Sequence, residues 1–464
     1  MIYTKLMPHQ EYSIKFCQDK NYAGIFYDYG TGKTLIALAL IEAKKYKRVL
    51  VISTKTAIKV TWPSEIKKHT NFQYVLLEGA QQSKIRSLLM GVRRTKINVF
   101  NAAPITLFLI NFDGIKDEQI VQSIIDAKFD CVIVDESTKI KSPKTKRTQW
   151  CWLLARHIEN RFILTGFPAT EGLHELYSQI KFLDHGEALG KSYWSFLGRC
   201  FVKCGPRLLV KKKSMGWITE QIKPFCIRAT NTILKLPPAI YKEVEVLKTV
   251  KQAYLLKTLN DYFRLEFGKV QIDTPYVFTL IQKCLQICDG FVYGNNGELE
   301  IVETEKDDAL VELVEEINPA KNKIVIWCTF KFSLVKIYKL LQNLGHNPLL
   351  IKGDTPDIDK VVSTFRVSPK HNILVASLKK AHESITLTEC RYAIYYSNYW
   401  SHDVRANSEA RIRRKGSEQH ESIIYTDLVT KGSIETKVHA ALRQKKNIVS
   451  ALKQEFKTME AEND

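Results

Sequence analysis

A glycine-containing segment followed by an apolar run is the clearest sign of chemistry in this sequence. Residues 27–34 read YDYGTGKT and lead directly into the apolar residues 35–41, a pattern that predicts a tight loop opening a helix. In such a loop, backbone N–H groups close around phosphate oxygens, and the positive end of the helix dipole adds to the attraction. The Lys33 ammonium can reach the outer phosphates, and the Thr34 hydroxyl can ligate magnesium. A strict loop of this kind has glycine where this chain has Tyr27. We predict a phosphate site formed by Gly30, Thr31, Gly32, Lys33 and Thr34.

Two carboxylates follow a second apolar run. Residues 129–137 read FDCVIVDES, which predicts a buried parallel strand with acids at its carboxyl end. Ligands bind at that end of the strands in open α/β sheets. Asp135 is therefore predicted to hold magnesium through its water shell, and Glu136 to polarise an attacking water.

Length and charge limit the classes of protein that fit. A chain of 464 residues is expected to form two domains. Its 69 basic and 49 acidic residues give a net charge of +20, which favours a polyanionic partner such as nucleic acid over a merely soluble basic protein. No apolar run approaches the ~20 residues of a membrane span, and the N-terminus does not read as a signal peptide. We expect a soluble, intracellular protein without a membrane partner.

The ten cysteines leave two interpretations open. Cys200 with Cys204, and Cys284 with Cys288, are spaced four residues apart, and four thiolates can hold zinc. The same spacing fits the buried face of a helix, in which case the cysteines are reduced core residues.

Alternating strand-like and helical stretches predict an α/β fold with two lobes, each a parallel sheet with crossover helices. The first lobe has predicted strands at 49–53, 97–100, 131–135 and 162–165. The second has predicted strands at 324–327, 349–351, 373–376, 393–396 and 423–426. Residues 191–225 and 241–316 are predicted to be mostly helical, and a charged helix is predicted from residue 433.

The order of these motifs resembles that of superfamily 2 helicases, specifically the Snf2-type branch of DNA translocases. Residues 30–34 resemble motif I, 49–54 motif Ia, 135–142 motif II with a Lys-rich extension, and 164–168 motif III; residues 324–329 resemble motif IV and 407–416 motif VI. Residues 6–10 resemble an N-terminal element in which Gln10 reads the adenine edge, and 224–228 and 236–238 resemble the junction between lobes. Motif II ends in Ser137-Thr138, motif III contains Phe167, and residues 381–386 depart furthest from motif V.

The resemblance implies two RecA-like lobes, ATP and Mg²⁺ as cofactors, and duplex or branched DNA as partner. The predicted lobes are residues 1–227, with a basic helical extension over 184–227, and residues 228–464, with a helical segment over 241–316 and a C-terminal helix. Compact chains of this type resemble bacteriophage recombination and fork-remodelling helicases, which implies a virus-encoded protein acting in the host cytoplasm. No appended recognition domain and no obligate protein partner are evident.

Arginines in motif VI can serve phosphoryl transfer, which needs cations at the γ-phosphate. Arg411 and Arg414 are spaced to share one helix face and are predicted to act there after the lobes close. Arg413 and Lys415 are predicted to be solvated or to contact phosphates.

Contacts to the DNA backbone need donors that ignore base sequence. The predicted donors are Thr54, Lys55, Lys139, Lys141, Lys211, Lys212, Lys213, Thr329 and Ser377, each of which can also be an ordinary loop residue.

Three functions remain open from the sequence. The first is a duplex translocase that migrates or remodels branched DNA; the second is the same motor displacing proteins from DNA. The third is a basic DNA-binding protein with a relic nucleotide fold, and RNA as substrate is a lesser variant. Residues 393–411 contain no inserted wedge, which favours translocation over unwinding of long duplexes.

Overall fold

Each half of the chain is built on its own parallel β-sheet. The computed structural model describes residues 1–464 apart from 97–103, 167, 170–171, 205–206, 231–233, 263, 268, 274–276, 381–384, 400, 441 and 443–464. The chain divides into two compact units, one running from Met1 to Ile233 and the other beginning at Leu234. Among the described residues, no helix combines the length and apolarity needed to cross a bilayer.

The first unit alternates strands and helices over most of its length. Its elements in chain order are α1 (Pro8–Gln18), β1 (Tyr22–Tyr27), α2 (Lys33–Ala43), β2 (Arg48–Ser53), α3 (Trp62–His69), β3 (Gln73–Leu77), α4 (Gln81–Lys96), β4 (Thr106–Asn111), α5 (Glu118–Asp126), β5 (Cys131–Asp135), α6 (Lys146–His157), β6 (Asn160–Thr165), α7 (Leu176–Asp184), α8 (Tyr193–Cys200), β7 (Phe201–Cys204), β8 (Arg207–Val210), α9 (Ser214–Ile222) and β9 (Cys226–Ala229).

The first sheet has seven parallel strands in the order β3-β4-β2-β5-β6-β1-β9. Its central strands β2 and β5 are continuous apolar runs because helices cover both faces of a parallel sheet. Residues 35–41 of α2 are all buried, so this helix is apolar on every side. The predicted strands at 49–53, 131–135 and 162–165 are confirmed, whereas 97–100 lies outside the described residues.

The basic extension of the first unit is not mostly helical. The antiparallel hairpin β7–β8 separates α8 from α9. The sequence prediction missed the turn signal in the Gly205-Pro206 dipeptide between two strand-forming runs. The strand β9 crosses the predicted lobe boundary between residues 227 and 228 and pairs with β1, so the unit extends past it.

The second unit contains a second α/β series with an insertion near its start. Its elements are β10 (Ala239–Val246), α10 (Val250–Tyr262), β11 (Arg264–Phe267), β12 (Val270–Asp273), α11 (Val277–Cys288), β13 (Phe291–Tyr293), β14 (Leu299–Ile301), α12 (Lys306–Ile317), β15 (Lys323–Cys328), α13 (Lys331–Asn343), β16 (Leu349–Ile351), α14 (Ile358–Val367), β17 (Ile373–Ser377), β18 (Cys390–Tyr395), α15 (His402–Ile412) and β19 (Ile423–Thr430).

The second sheet has six parallel strands in the order β10-β19-β18-β15-β17-β16, and all five strands predicted for this lobe are confirmed. The largely helical prediction for 241–316 is wrong in two respects. The segment begins in the edge strand β10, whose mostly exposed, charged residues conceal the strand pattern. It also contains the hairpins β11–β12 and β13–β14. Residues 434–440 are helical, and the rest of the predicted C-terminal helix lies outside the described residues.

Candidate active site

The phosphate loop connects β1 to α2, as the sequence predicts. Gly30 and Gly32 have φ angles of 84° and 80°, in the left-handed region that favours glycine. A Cβ atom at Gly32 would lie 2.5 Å from Gln10 Nε2, so a larger residue would also collide with α1. Thr31 Oγ1 donates to the Asp28 carbonyl at 2.8 Å and closes the turn. The loop geometry is therefore set by backbone conformation and by packing against α1.

Gln10 is buried at the start of α1 and contacts this loop. Its Oε1 accepts a hydrogen bond from Met7 N at 2.9 Å, and its Nε2 donates to the Thr31 carbonyl at 3.3 Å. His9 Nε2 lies 2.9 Å from the same carbonyl. The structure thus places Gln10 beside the loop, where its predicted reading of adenine stays a prediction.

Lys33 lies at the first position of α2, with Thr34 in the first helical turn. Its Nζ donates to the carbonyls of Tyr27 at 2.7 Å and Asp28 at 3.3 Å, and it lies 5.0 Å from the centre of the Tyr29 ring. Both hydrogen-bond acceptors are neutral backbone oxygens. A cation held in this way suits the binding of a phosphate chain.

Asp135 and Glu136 lie at the same edge of the sheet as the loop, because β6 pairs with both β1 and β5. Asp135 Oδ2 accepts hydrogen bonds from Ser53 Oγ and Trp62 Nε1, both at 3.0 Å. Glu136 has a φ of 54°, which is strained for a residue with a side chain and is typical of functional sites. The sequence prediction missed the role of Ser53, the last residue of the neighbouring strand β2, and of Trp62, the first residue of α3.

The oxygen donors at this edge fit magnesium. A threonine hydroxyl and an aspartate carboxylate are hard ligands of the type that Mg²⁺ prefers, and Mg²⁺ completes its octahedral shell with water and phosphate oxygens. Thr34 and Asp135 would hold the ion, and its positive charge would offset the negative charge of the nucleotide phosphates.

Motif II forms a hydrogen bond with α7 that the sequence does not predict. Ser137 Oγ donates to Gln179 Oε1 at 2.7 Å, and Gln179 Nε2 donates to the carbonyls of Glu175 at 3.1 Å and Pro168 at 2.5 Å. One glutamine therefore bonds both motif II and the motif III segment.

A buried ion pair lies behind the phosphate loop. Arg228 Nη2 on β9 is 3.5 Å from Asp28 Oδ1, and both side chains are buried. Asp28 N also donates to the Ala229 carbonyl at 3.0 Å. The last strand of the first sheet thus supports the start of the loop.

Motif VI lies on and after α15, and one prediction about it is wrong. The helix ends at Ile412, and Arg413 has a non-helical ψ of 83°, so Arg411 and Arg414 do not share a helix face. Arg414 Nη1 donates to Thr386 Oγ1 at 3.0 Å. Arg413, predicted to be solvated or to contact phosphate, instead donates from Nε to the Pro237 carbonyl at 2.6 Å. Lys415 is exposed, as predicted.

The helix α15 is anchored by Arg405, which the sequence prediction missed. Its guanidinium pairs with Asp427 on β19, donates to Glu409 Oε1 at 2.7 Å and lies 3.4 Å from the centre of the Tyr395 ring. Burial alone would raise the pKa of Asp427, but the charge of Arg405 together with hydrogen bonds from His439, Arg405 and Asn398 holds that pKa below its usual range.

The predicted DNA contacts fall into two groups. Several have partners within the chain: Lys141 pairs with Glu175 at 2.5 Å, Lys211 Nζ donates to the Gly198 carbonyl at 2.6 Å, and Thr329 Oγ1 donates to the Ser397 carbonyl at 3.3 Å. Ser377 is buried and Thr54 is partly buried. Lys211 is exposed despite its bond, as are Lys55, Lys139, Lys212 and Lys213.

The cysteines show no zinc cluster. Within the described ranges, no three His, Cys, Asp or Glu side chains are grouped as metal ligands require. Cys200, Cys284 and Cys288 are buried, while the side chain of Cys204 lies outside the description. Burial raises the pKa of the Cys284 thiol to about 11, which disfavours the thiolate that binds zinc.

Comparison with known proteins gives a family and two kinds of relative. The SNF2-related domain matches residues 9–285. "Putative protein p41" of Acyrthosiphon pisum secondary endosymbiont phage 1 is 24% identical over 367 residues, covering 74% of this chain and 76% of that protein. An uncharacterized ATP-dependent helicase of Mycoplasma genitalium is 22% identical over 451 residues; the match covers 94% of this chain but only 41% of the mycoplasma protein.

Among solved structures, the Sulfolobus solfataricus SWI2/SNF2 ATPase core in complex with dsDNA is 22% identical, with a TM-score of 0.45 and coverage of 96% and 92% of the two chains. The family assignment comes from the sequence match, which spans more than half of the chain. The chain therefore belongs to the SNF2-related family, the Snf2-type branch of superfamily 2 helicases, which are DNA-dependent ATPases.

Proposed function

We propose that this protein is an ATP-driven translocase on duplex DNA that remodels branched DNA. The observation that carries the proposal is the convergence of Lys33 and Asp135 at one edge of the first sheet, because Lys33 follows β1, Asp135 ends β5, and both strands flank β6. This is an intact set of groups for nucleotide hydrolysis, which a relic fold would have no reason to keep in place.

In the proposed reaction, the loop N–H groups and Lys33 hold the phosphates. Thr34 and Asp135 position magnesium, which when bound with ATP offsets the charge on the phosphates. Glu136, next to Asp135 in the chain, orients the attacking water. We assign Arg411 and Arg414 to supply cations to the γ-phosphate.

The track is the DNA backbone. Exposed lysines can contact phosphates regardless of sequence, and we assign Lys55, Lys139, Lys212 and Lys213 to this role. Branch migration replaces each broken base pair with a new one, so it needs little net energy per step. Remodelling of junctions therefore suits a motor that lacks a strand-separating insert between motifs V and VI.

The test compares ATP hydrolysis in the presence of single-stranded, duplex and four-way-junction DNA. We expect duplex and junction DNA to stimulate turnover more than single strands do. We also expect the protein to branch-migrate four-way junctions faster than it unwinds long blunt duplexes. Efficient unwinding of blunt duplexes, or strict dependence on a single-stranded tail, would instead show a strand-separating helicase. Hydrolysis unaffected by any DNA would contradict a DNA-driven motor.

A further inference from the structure

An exposed tryptophan lies on the basic extension of the first unit and has no role in the nucleotide site. Trp194 on α8 is 67% exposed. The other tryptophans that the structure describes are buried or partly buried, namely Trp62, Trp150, Trp152, Trp217 and Trp327. An indole exposed to this degree on a well-ordered helix contributes nothing to the core.

The helix that presents Trp194 is itself firmly packed. Phe196 and Cys200 are buried, and the Tyr177 ring lies 5.3 Å from Tyr193 and 5.5 Å from Phe196. Ser192 caps the helix by accepting a hydrogen bond from Ser195 N at 3.4 Å. The exposed ring is therefore displayed from a rigid support.

One lysine lies over the ring, and another bonds the same helix one turn further on. Lys144, in the segment that follows motif II, places its Nζ 5.7 Å from the centre of the Trp194 ring. One helical turn beyond Trp194, the Gly198 carbonyl accepts a hydrogen bond from Lys211 Nζ at 2.6 Å. A Cβ at Gly198 would meet nothing within 4 Å, so the surface beside the ring is open. We call Lys144, Trp194, Gly198 and Lys211 the α8 face.

The charge around the α8 face selects the class of ligand. The sequence from Lys191 to Thr219 contains several lysines and arginines but no aspartate or glutamate. A cationic ligand would be repelled, whereas a polyanion would be attracted. An exposed aromatic ring on a basic surface is the arrangement that stacks on an unpaired base and contacts the flanking phosphates. Paired bases inside a duplex have no free face to offer.

We propose that the α8 face binds an unpaired nucleotide segment of DNA, with Trp194 stacking on a base and Lys144 and Lys211 contacting the adjacent phosphates. This site deepens the proposed function and rests on it, because branched DNA exposes such segments where its arms meet. It gives the motor a contact with unpaired DNA in addition to its contacts with the duplex. Stacking on base faces is tolerant of sequence, as a motor requires.

The test measures equilibrium DNA binding by fluorescence anisotropy at fixed salt. The probes are a blunt duplex and the same duplex with a single-stranded dT tail of about ten nucleotides, long enough to cover a typical binding site. The variants are Trp194→Ala, Trp194→Phe and Lys144→Ala. Tyr254→Ala is the matched control, because Tyr254 is an aromatic residue of the second unit with 66% exposure.

We expect Trp194→Ala to weaken binding of the tailed duplex about tenfold and to leave binding of the blunt duplex unchanged. Trp194→Phe should keep most of the affinity, and neither change should alter the salt dependence, because no charge is removed. Lys144→Ala should reduce the slope of log affinity against log salt on the tailed duplex by about 0.7, the value for one phosphate contact on a single strand. Because the ring is exposed, the thermal unfolding of all variants should match that of the wild type.

Two outcomes would overturn the proposal. In the first, Trp194→Ala binds the tailed duplex as well as Tyr254→Ala does. In the second, it loses affinity equally for both probes. The proposed motor is tested separately, because DNA stimulation of wild-type ATP hydrolysis does not depend on the result for Trp194.

Discussion

The two units hold their motif residues in place by different means. In the first unit, Asp135 is oriented by the neutral donors Ser53 and Trp62, and Lys33 by backbone carbonyls. In the second unit, the motif VI helix α15 is held by the buried ion pair between Arg405 and Asp427. Neutral partners fix a charged group without cancelling its charge, whereas an ion pair uses up the charge to hold an element. Asp135 thus keeps its charge available to a ligand, whereas Arg405 and Asp427 use theirs to position a helix, and the pair Arg228–Asp28 likewise uses its charges for support behind the phosphate loop of the first unit.

The second unit extends this pattern beyond α15. Lys306 is fully buried and its Nζ lies 3.2 Å from Asp289 Oδ1 and 2.5 Å from Glu435 Oε1. It also donates to the Tyr396 carbonyl at 3.0 Å. This cluster ties the inserted hairpin region, the sheet and the C-terminal segment together. Burying an ion pair costs desolvation energy. Removal of one partner therefore leaves the other charge buried and uncompensated, which is worse than the loss of a single contact.

The strongest test of the comparison removes the presented charge. We expect Lys33→Ala to abolish ATP hydrolysis while DNA affinity at fixed salt stays close to wild type, because Lys33 addresses nucleotide phosphates and the track is held by many other contacts. The measurements are steady-state turnover and DNA binding on the same preparation. Lys67→Ala, which removes an exposed lysine of α3, is the control and should retain turnover. Parallel loss of DNA affinity in Lys33→Ala would contradict the separation.

The next test concerns the arginines that follow the anchored helix. Arg414→Ala should lower DNA-stimulated kcat by about a thousandfold, within the range known for arginine fingers, with little change in nucleotide affinity. The neighbouring Arg413→Ala is a matched control, because Arg413 bonds the Pro237 carbonyl and should affect turnover far less. A raised KM with unchanged kcat would show that Arg414 serves ground-state binding instead.

A smaller effect is expected on stability when the anchor is broken. Arg405→Ala leaves Asp427 buried without its main partner, so the free energy of unfolding of the second unit should fall by about 3–5 kcal/mol. The double variant Arg405→Met with Asp427→Asn should recover part of that loss in urea unfolding, since no charge is left buried. Lys431→Ala breaks the exposed pair with Glu245 at 2.8 Å and should leave the unfolding midpoint unchanged. Equal destabilisation by the single and double variants would show that the charge of Asp427 is not the cause.

The sequence predicts the charged residues of the nucleotide site better than it predicts the buried contacts that hold the helices in place. The phosphate loop and the acids after β5 can be recognised because their chemistry depends on neighbouring residues in the chain. The pair Arg405–Asp427 joins α15 to β19, and Gln179 reaches motif II from another helix, so neither has a local signal. The edge strand β10 was missed because most of its residues are exposed, whereas the hairpin β7–β8 had a local signal, the Gly205-Pro206 dipeptide, that was overlooked. The end of α15 at Ile412 likewise separates Arg411 from Arg414 despite their helical spacing.

The finest test of the comparison removes one neutral donor from Asp135. Trp62 is fully buried, and its Nε1 donates to Asp135 Oδ2 at 3.0 Å. Trp62→Phe keeps most of the apolar volume but deletes this bond, while Ser53 still donates to the same oxygen. Because partners of a metal-binding carboxylate orient it, the magnesium concentration for half-maximal ATP hydrolysis should rise by about tenfold.

The control for this variant comes from the other unit. Trp327 on β15 is also fully buried, yet its Nε1 has no hydrogen-bond partner among the described residues. Trp327→Phe therefore removes a buried indole without disturbing a metal-binding carboxylate, and it should cost stability without changing the magnesium requirement. If both variants shifted that requirement equally, the effect would reflect general loosening of the core. A shift confined to Trp62→Phe would show that a neutral donor in the first unit tunes the charge presented to the ligand.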